Sequence, residues 1–76
     1  SLLPSGIISA SGNFQAGDLV TICDQQGHVI ARGLTNYSRE ETELIKGAHS
    51  SRIPELLGRR GADEVVHRDD MVLVRE

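Results

Sequence analysis

The sequence runs to 76 residues with a formal net charge of −3, from 8 basic and 11 acidic side chains, and 38% of its residues are apolar. That length holds one small domain, and so short a chain buries only about 60% of the surface its unfolded form exposes, which leaves its stability marginal. No run of about 18 apolar residues is present to span a bilayer, the start "SLLPSG" lacks the charged and long apolar regions of a secretory signal, and the acidic balance argues against a general polyanion-binding surface.

The chain opens at Ser1 without a methionine and reads as a piece of a longer polypeptide. Its only aromatics are Phe14 and Tyr37, so an aliphatic core is expected. The pattern along the chain is β–β–α–α–β. "GIISASG" (6–12) brings Ile7 and Ile8 before a turn signal and is read with the strands. "GDLVTICD" (17–24) alternates Leu19, Thr21 and Cys23 against Val20 and Ile22, a short-strand composition. "DQQGHV" supplies a turn with Gly27 free to take a positive φ, and "HVIARGL" (28–34) returns as the second arm of a hairpin. Apolar residues on both faces of these strands predict burial on both sides, as in a barrel. Cys23 has no partner for an internal disulfide and is expected as a buried free thiol, in a reducing, cytoplasmic setting.

The period then changes. "SREE" (38–41) is a capping box, with the Ser38 hydroxyl positioned for the Glu41 N–H and the Glu41 carboxylate reaching back. Leu44, Ile45 and Ala48 form the apolar stripe of the first helix, Lys46 stands in its last turn, and Gly47 supplies a left-handed stop. A second helix begins near Ser51. Pro54 fits its first turn, Ile53, Leu56 and Leu57 make its buried stripe, and Gly58 ends it. "RRGADE" is a loop, and "EVVH" and "MVLV" are two β runs interrupted by "RDD". Val65, Val66, Met71, Leu73 and Val74 are the expected apolar anchors of this last segment.

"EVVHRDDMVL" (64–73) sets His67, Arg68, Asp69 and Asp70 side by side. Acid–base chemistry needs such groups held in a cleft at matched spacing. Aspartates where one run ends and another starts also stabilise turns by bonding backbone N–H groups, and the cluster is read as a turn. Cys23, His28, His49 and His67 are too scattered for a zinc motif. "SGNFQAG" and "GRRGAD" match neither a P-loop nor a dinucleotide fingerprint, and a triad of Ser50, His67 and Asp70 has no nucleophile elbow behind it. Arg59 and Arg60 are the densest basic pair and read first as solvated turn arginines.

"SLLPSGI", "GNFQAGDLV", "IARGLTNYSREE" and "LLGRRGADEVVHRDDMVL" follow one another along nearly the whole chain. In that order they resemble the C-terminal PUA domains of glutamate 5-kinases, ATP-dependent enzymes of proline biosynthesis. The resemblance implies a mainly β pseudobarrel decorated by short helices, lacking here its first strand and first helix, which precede the "SLLP" segment in the family. It also implies that catalysis belongs to a kinase domain elsewhere, where ATP, magnesium and glutamate bind. No catalytic residue, metal site or cofactor is assigned to this chain. The implied role is a non-catalytic accessory domain, regulatory, stabilising or in contact with its kinase domain and with other subunits. The alternative is an RNA-binding module that would use Arg59, Arg60, His67 and Arg68 against phosphates. Interleaving with Asp63, Glu64, Asp69 and Asp70 makes such binding weak.

Overall fold

The computed structural model describes residues 1–74. Three antiparallel strands, β1 (Leu19–Cys23), β2 (Val29–Leu34) and β3 (Met71–Leu73), form one sheet in the order β1-β2-β3. Two short helices, α1 (Arg39–Ile45) and α2 (Ile53–Leu57), lie between β2 and β3 in sequence. The sheet is open rather than closed into a barrel.

The β1–β2 hairpin forms where the alternation and turn residues place it. One Asp24 carboxylate oxygen accepts from the backbone N–H groups of Gln26 and His28, each at 2.9 Å. Gly27 takes the positive φ of 85° that the turn requires. A bulge between Ile22 and Cys23 shifts the register, so Ile22 faces Ala31 and Cys23 faces Val29.

The expected two-sided burial is not what forms. Val20 and Ile22 turn inward with Ala31 and Gly33, while Leu19, Ile30, Leu34 and Val72 stand on the outer face, 45–71% exposed. Cys23 is exposed as well, not a buried thiol. The reason is geometric: side chains alternate across a strand, and no helix packs on the outer face of this sheet among the described residues.

Residues 6–12 are not a strand either. Only a 3-10 turn at Pro4–Gly6 forms there, and Ile8 is exposed. The chain's β pairing falls earlier, at Leu2, which bridges to Val66: the Leu2 N–H donates to the Val66 carbonyl and the Val65 N–H to the Leu2 carbonyl, both at 2.8 Å. The segment beyond is tethered to α1 instead, by the Ala10 N–H on a Glu43 carboxylate oxygen at 2.9 Å. Lys46 pairs with the same carboxylate, and these two interactions hold its pKa below the ordinary glutamate value.

The capping box of α1 is complete, with Ser38 accepting from the Glu41 N–H and Glu41 accepting from the Ser38 N–H. Its buried face is Thr42 and Ile45, not Leu44, which is 61% exposed. Thr42 is buried without penalty because its hydroxyl donates to the Ser38 carbonyl at 2.8 Å. Lys46 closes the helix as its C-cap, and Gly47 follows with φ 75°. Helix α2 is entered through a 3-10 turn at Ser50–Arg52. Pro54 sits in its first turn, Ile53 is its buried residue, and Gly58 ends it in the left-handed region.

The core gathers Tyr37, Ile45, Ile53, Val65 and Val66, with Leu2, Ile7, Val20, Ile22, Leu56, Leu57 and Met71 packed around them. It is not purely aliphatic: Tyr37 is 1% exposed. "EVVH" contributes its two valines to this core without forming a strand, "RDD" is a 3-10 turn, and β3 begins at Met71. Leu73, an expected anchor, is 69% exposed, while Val74 is half-buried.

Candidate functional site

Polar side chains converge most closely where "TNYSREE" meets "RRGADE". The Thr35 hydroxyl donates to the Tyr37 carbonyl at 2.8 Å, and the Asn36 side-chain amide donates to the Glu64 carbonyl at 3.0 Å. The Tyr37 hydroxyl donates to the Ala62 carbonyl. Arg59 lies with its guanidinium 5.7 Å from the centre of the Tyr37 ring and pairs with the Glu41 carboxylate. Gly61 makes this possible, since a Cβ there would strike the Tyr37 hydroxyl and lie 3.1 Å from its ring carbons.

The electrostatics follow the contacts. The Ser38 N–H and the Arg59 guanidinium hold the Glu41 carboxyl below its ordinary value. Burial pushes the Tyr37 phenol up, against the opposing pull of Arg59. An ionised carboxylate and a neutral phenol, each already bonded, are a clamp on the loop and offer no free base.

The four residues singled out for phosphate contact fall into two groups. Arg59 and Arg60 stand on the loop after α2, and His67 and Arg68 on the turn before β3. Arg59 is committed to Glu41 and Tyr37. Arg60 is exposed and pairs with no carboxylate among the described residues. His67 caps its turn, its Nδ1 accepting from the Asp69 N–H at 3.1 Å, with the Asp69 carboxylate 3.5 Å away. The exposed Arg68 lies 3.9 Å from the same carboxylate. The "RDD" cluster is therefore a capped turn, with Arg68, Asp69 and Asp70 exposed on its surface.

The closest hydroxyl–imidazole contact is at a different place. The Nδ1 of His49 lies 2.9 Å from the Ser51 hydroxyl and also accepts from the Ser51 N–H. This is a second histidine cap, on the surface, and no carboxylate among the described residues pairs with its ring. Among the described residues no group of three or more His, Cys, Asp or Glu side chains could hold a metal ion. No described helix is long and apolar enough to cross a membrane.

An open cleft of ≈ 760 Å³ separates the N-terminal segment from β1 and reaches the core. Leu2, Ile7, Ile8, Phe14, Val20 and Ile22 line it, with Val65 and Val66 at its floor. Sequence reading missed this cleft and the Tyr37 clamp. Local sequence carries no signal for the clamp: Tyr37 stands just before the capping box, but the N4 position that a staple would need is the polar Thr42.

The model of the PUA domain family matches residues 1–57. The chain belongs to the PUA domain family. This PUA domain is similar to the glutamate 5-kinase of Syntrophotalea carbinolica, 55% identical over 73 residues, which is 96% of this chain and 20% of that protein. It is similar also to the glutamate 5-kinases of Saccharophagus degradans, at 55% identity, and Caldanaerobacter subterraneus, at 51%, each over 97% of this chain and 20% of the relative. The PUA domain thus spans about a fifth of the length of the curated relatives it matches.

Proposed function

We propose that this PUA domain is the non-catalytic accessory domain of a glutamate 5-kinase, an enzyme that uses ATP to phosphorylate L-glutamate to glutamyl 5-phosphate in proline biosynthesis. The observation that carries the reading is identity of about half or more to glutamate 5-kinases over nearly the entire chain. Catalysis, with its ATP and magnesium, is assigned to the kinase domain of the same cytoplasmic polypeptide, and this domain stabilises that kinase or transmits regulation to it.

The test is made on the full-length polypeptide, assayed for ADP formation with ATP, magnesium and glutamate. Glutamate-dependent turnover is expected, and turnover should not fall more than a few-fold on His67→Gln or Asp70→Asn, which alter only the capped turn. Absence of turnover in the folded full-length protein sinks the kinase reading. Loss of turnover in His67→Gln, with the domain folded, would instead place the turn in an active site.

The RNA-binding reading finds little support in the geometry, because Arg59, His67 and Arg68 already face carboxylates. Dissociation constants no tighter than the non-specific range of about 10⁻⁴ to 10⁻⁶ M are expected for structured and unstructured RNA at physiological salt. Tighter, sequence-dependent binding that falls on replacing Arg59 and Arg60 would establish the RNA module.

A further inference from the structure

The outer face of the sheet has a regular arrangement that the cleft and the loop clamp do not use. Strand pairing sets Leu19 beside Leu34, Thr21 beside Arg32, and Arg32 beside Val72. Ile30 completes the row two positions from Arg32 on β2. Arg32 is therefore surrounded by Leu34, Ile30, Val72 and Thr21, with Leu19 diagonal to it. The four large apolar residues are 45–71% exposed, and a contiguous apolar patch of this kind on a small domain marks an interaction surface. Arg32 makes no ion pair with any described carboxylate, and none of the outward positions carries an acid.

The charge pattern selects the occupant. A second copy docked face to face about a two-fold axis would oppose its own patch to this one and bring Arg32 against Arg32. Like charges placed directly opposite are unfavourable, and more so once apolar surface excludes water. A different surface, apolar with one carboxylate, satisfies both the leucines and the arginine. Four-fifths of the length of the glutamate 5-kinases lies outside the part that this chain matches, so the kinase reading places a large partner in the same polypeptide.

We propose that the outer sheet face around Arg32 docks on the kinase domain, where an apolar patch receives Leu19, Ile30, Leu34 and Val72 and a carboxylate pairs with Arg32. The inference rests on the kinase reading above and names the surface through which the two parts meet.

The experiment places a photo-crosslinking p-benzoylphenylalanine at Val72 of the full-length protein, with the same residue at the exposed Glu55 on α2 as control, and maps the products by peptide mass spectrometry. The expected product joins position 72 to a kinase-domain peptide that contains an Asp or Glu, in several-fold higher yield than the control. Arg32→Glu should cut that yield several-fold. Products that join position 72 to residues 1–76 of a second copy, or a yield no higher than the control, overturn the proposal. Glutamate-dependent turnover is measured on the same preparation. Cross-links to polypeptide outside residues 1–76 without turnover would sink the kinase reading while sustaining the docking face.

Discussion

Replacing Gly33 by alanine adds one methyl group where the turn before β3 comes close against β2. The new Cβ would lie 2.5 Å from a Val66 methyl, 2.7 Å from the Asp70 carbonyl oxygen and 3.3 Å from the Met71 Cα. Two of those three neighbours are backbone, fixed by the β2–β3 pairing, and Val66 is fully buried. Overpacking of this kind costs about 1–3 kcal/mol, and immovable backbone neighbours point to the upper end. Gly33 does not need a positive φ, so the substitution also gains roughly 0.4–1 kcal/mol by restricting the unfolded chain. The net expectation is a loss of about 2 kcal/mol, which in a domain of this size lowers Tm by roughly 8–16 °C. Urea and thermal melts followed by circular dichroism measure it. Adding Val66→Ala removes the closest contact, so the double variant should show a favourable coupling of about 0.5–3 kcal/mol between neighbouring sites. If Gly33→Ala proved stabilising by the roughly 0.4–1 kcal/mol expected from the unfolded state alone, the close approach of the "RDD" turn to β2 would be refuted.

Four further outcomes are expected. Val66→Ala, which empties a fully buried position, should cost about 2 kcal/mol, from two methyl groups at ~0.8 kcal/mol each and the residual cavity. Leu73→Ala, at a position 69% exposed, should cost well under half as much, and the reverse order in urea melts would contradict the burial pattern. Ser38→Ala should remove about 1 kcal/mol with the cap of α1, and equal melting of variant and parent would show that the box contributes nothing. Glu41 has a lowered folded-state pKa, so its contribution is complete above the ordinary glutamate pKa of about 4.3 and is lost as pH falls through the lower folded value. Glu41→Gln should flatten that acid limb of the stability–pH curve, and an unchanged limb would assign it to other carboxylates.

The parts legible in the sequence are those decided by local chemistry. Asp24 and Gly27 specify the hairpin turn, Ser38 and Glu41 the start of α1, and Pro54 and Gly58 the bounds of α2, and each does so within four residues. The parts that were not legible depend on distant partners. Ile7 and Ile8 look like strand residues, but among the described residues neither pairs with a strand, and the pairing falls to Leu2. Leu44 and Ile45 are equally apolar neighbours. A helix of seven residues buries one narrow stripe, and packing against Ile53 and the valines selects Ile45 with Thr42. Strand alternation alone also could not show that the face carrying Leu19, Leu34 and Val72 remains uncovered. Of the candidate site, the residue types were visible, but the pairing of Arg59 with Glu41 and Tyr37 requires the loop to fold back across α1.

The bridge between Leu2 and Val66 has a consequence for how the domain is made. It joins residues more than sixty positions apart, so it closes nearly the whole chain into a loop. Closing a flexible loop of that length costs about 4 kcal/mol of chain entropy before the contact returns anything, which makes this a late event in folding. On the ribosome, where synthesis proceeds at roughly 5–20 residues per second, Leu2 is built about 3–13 s before the valine that pairs with it. The hairpin and α1 can organise within that interval, while the "SLLP" segment stays without its bridging partner until translation has passed "EVVH".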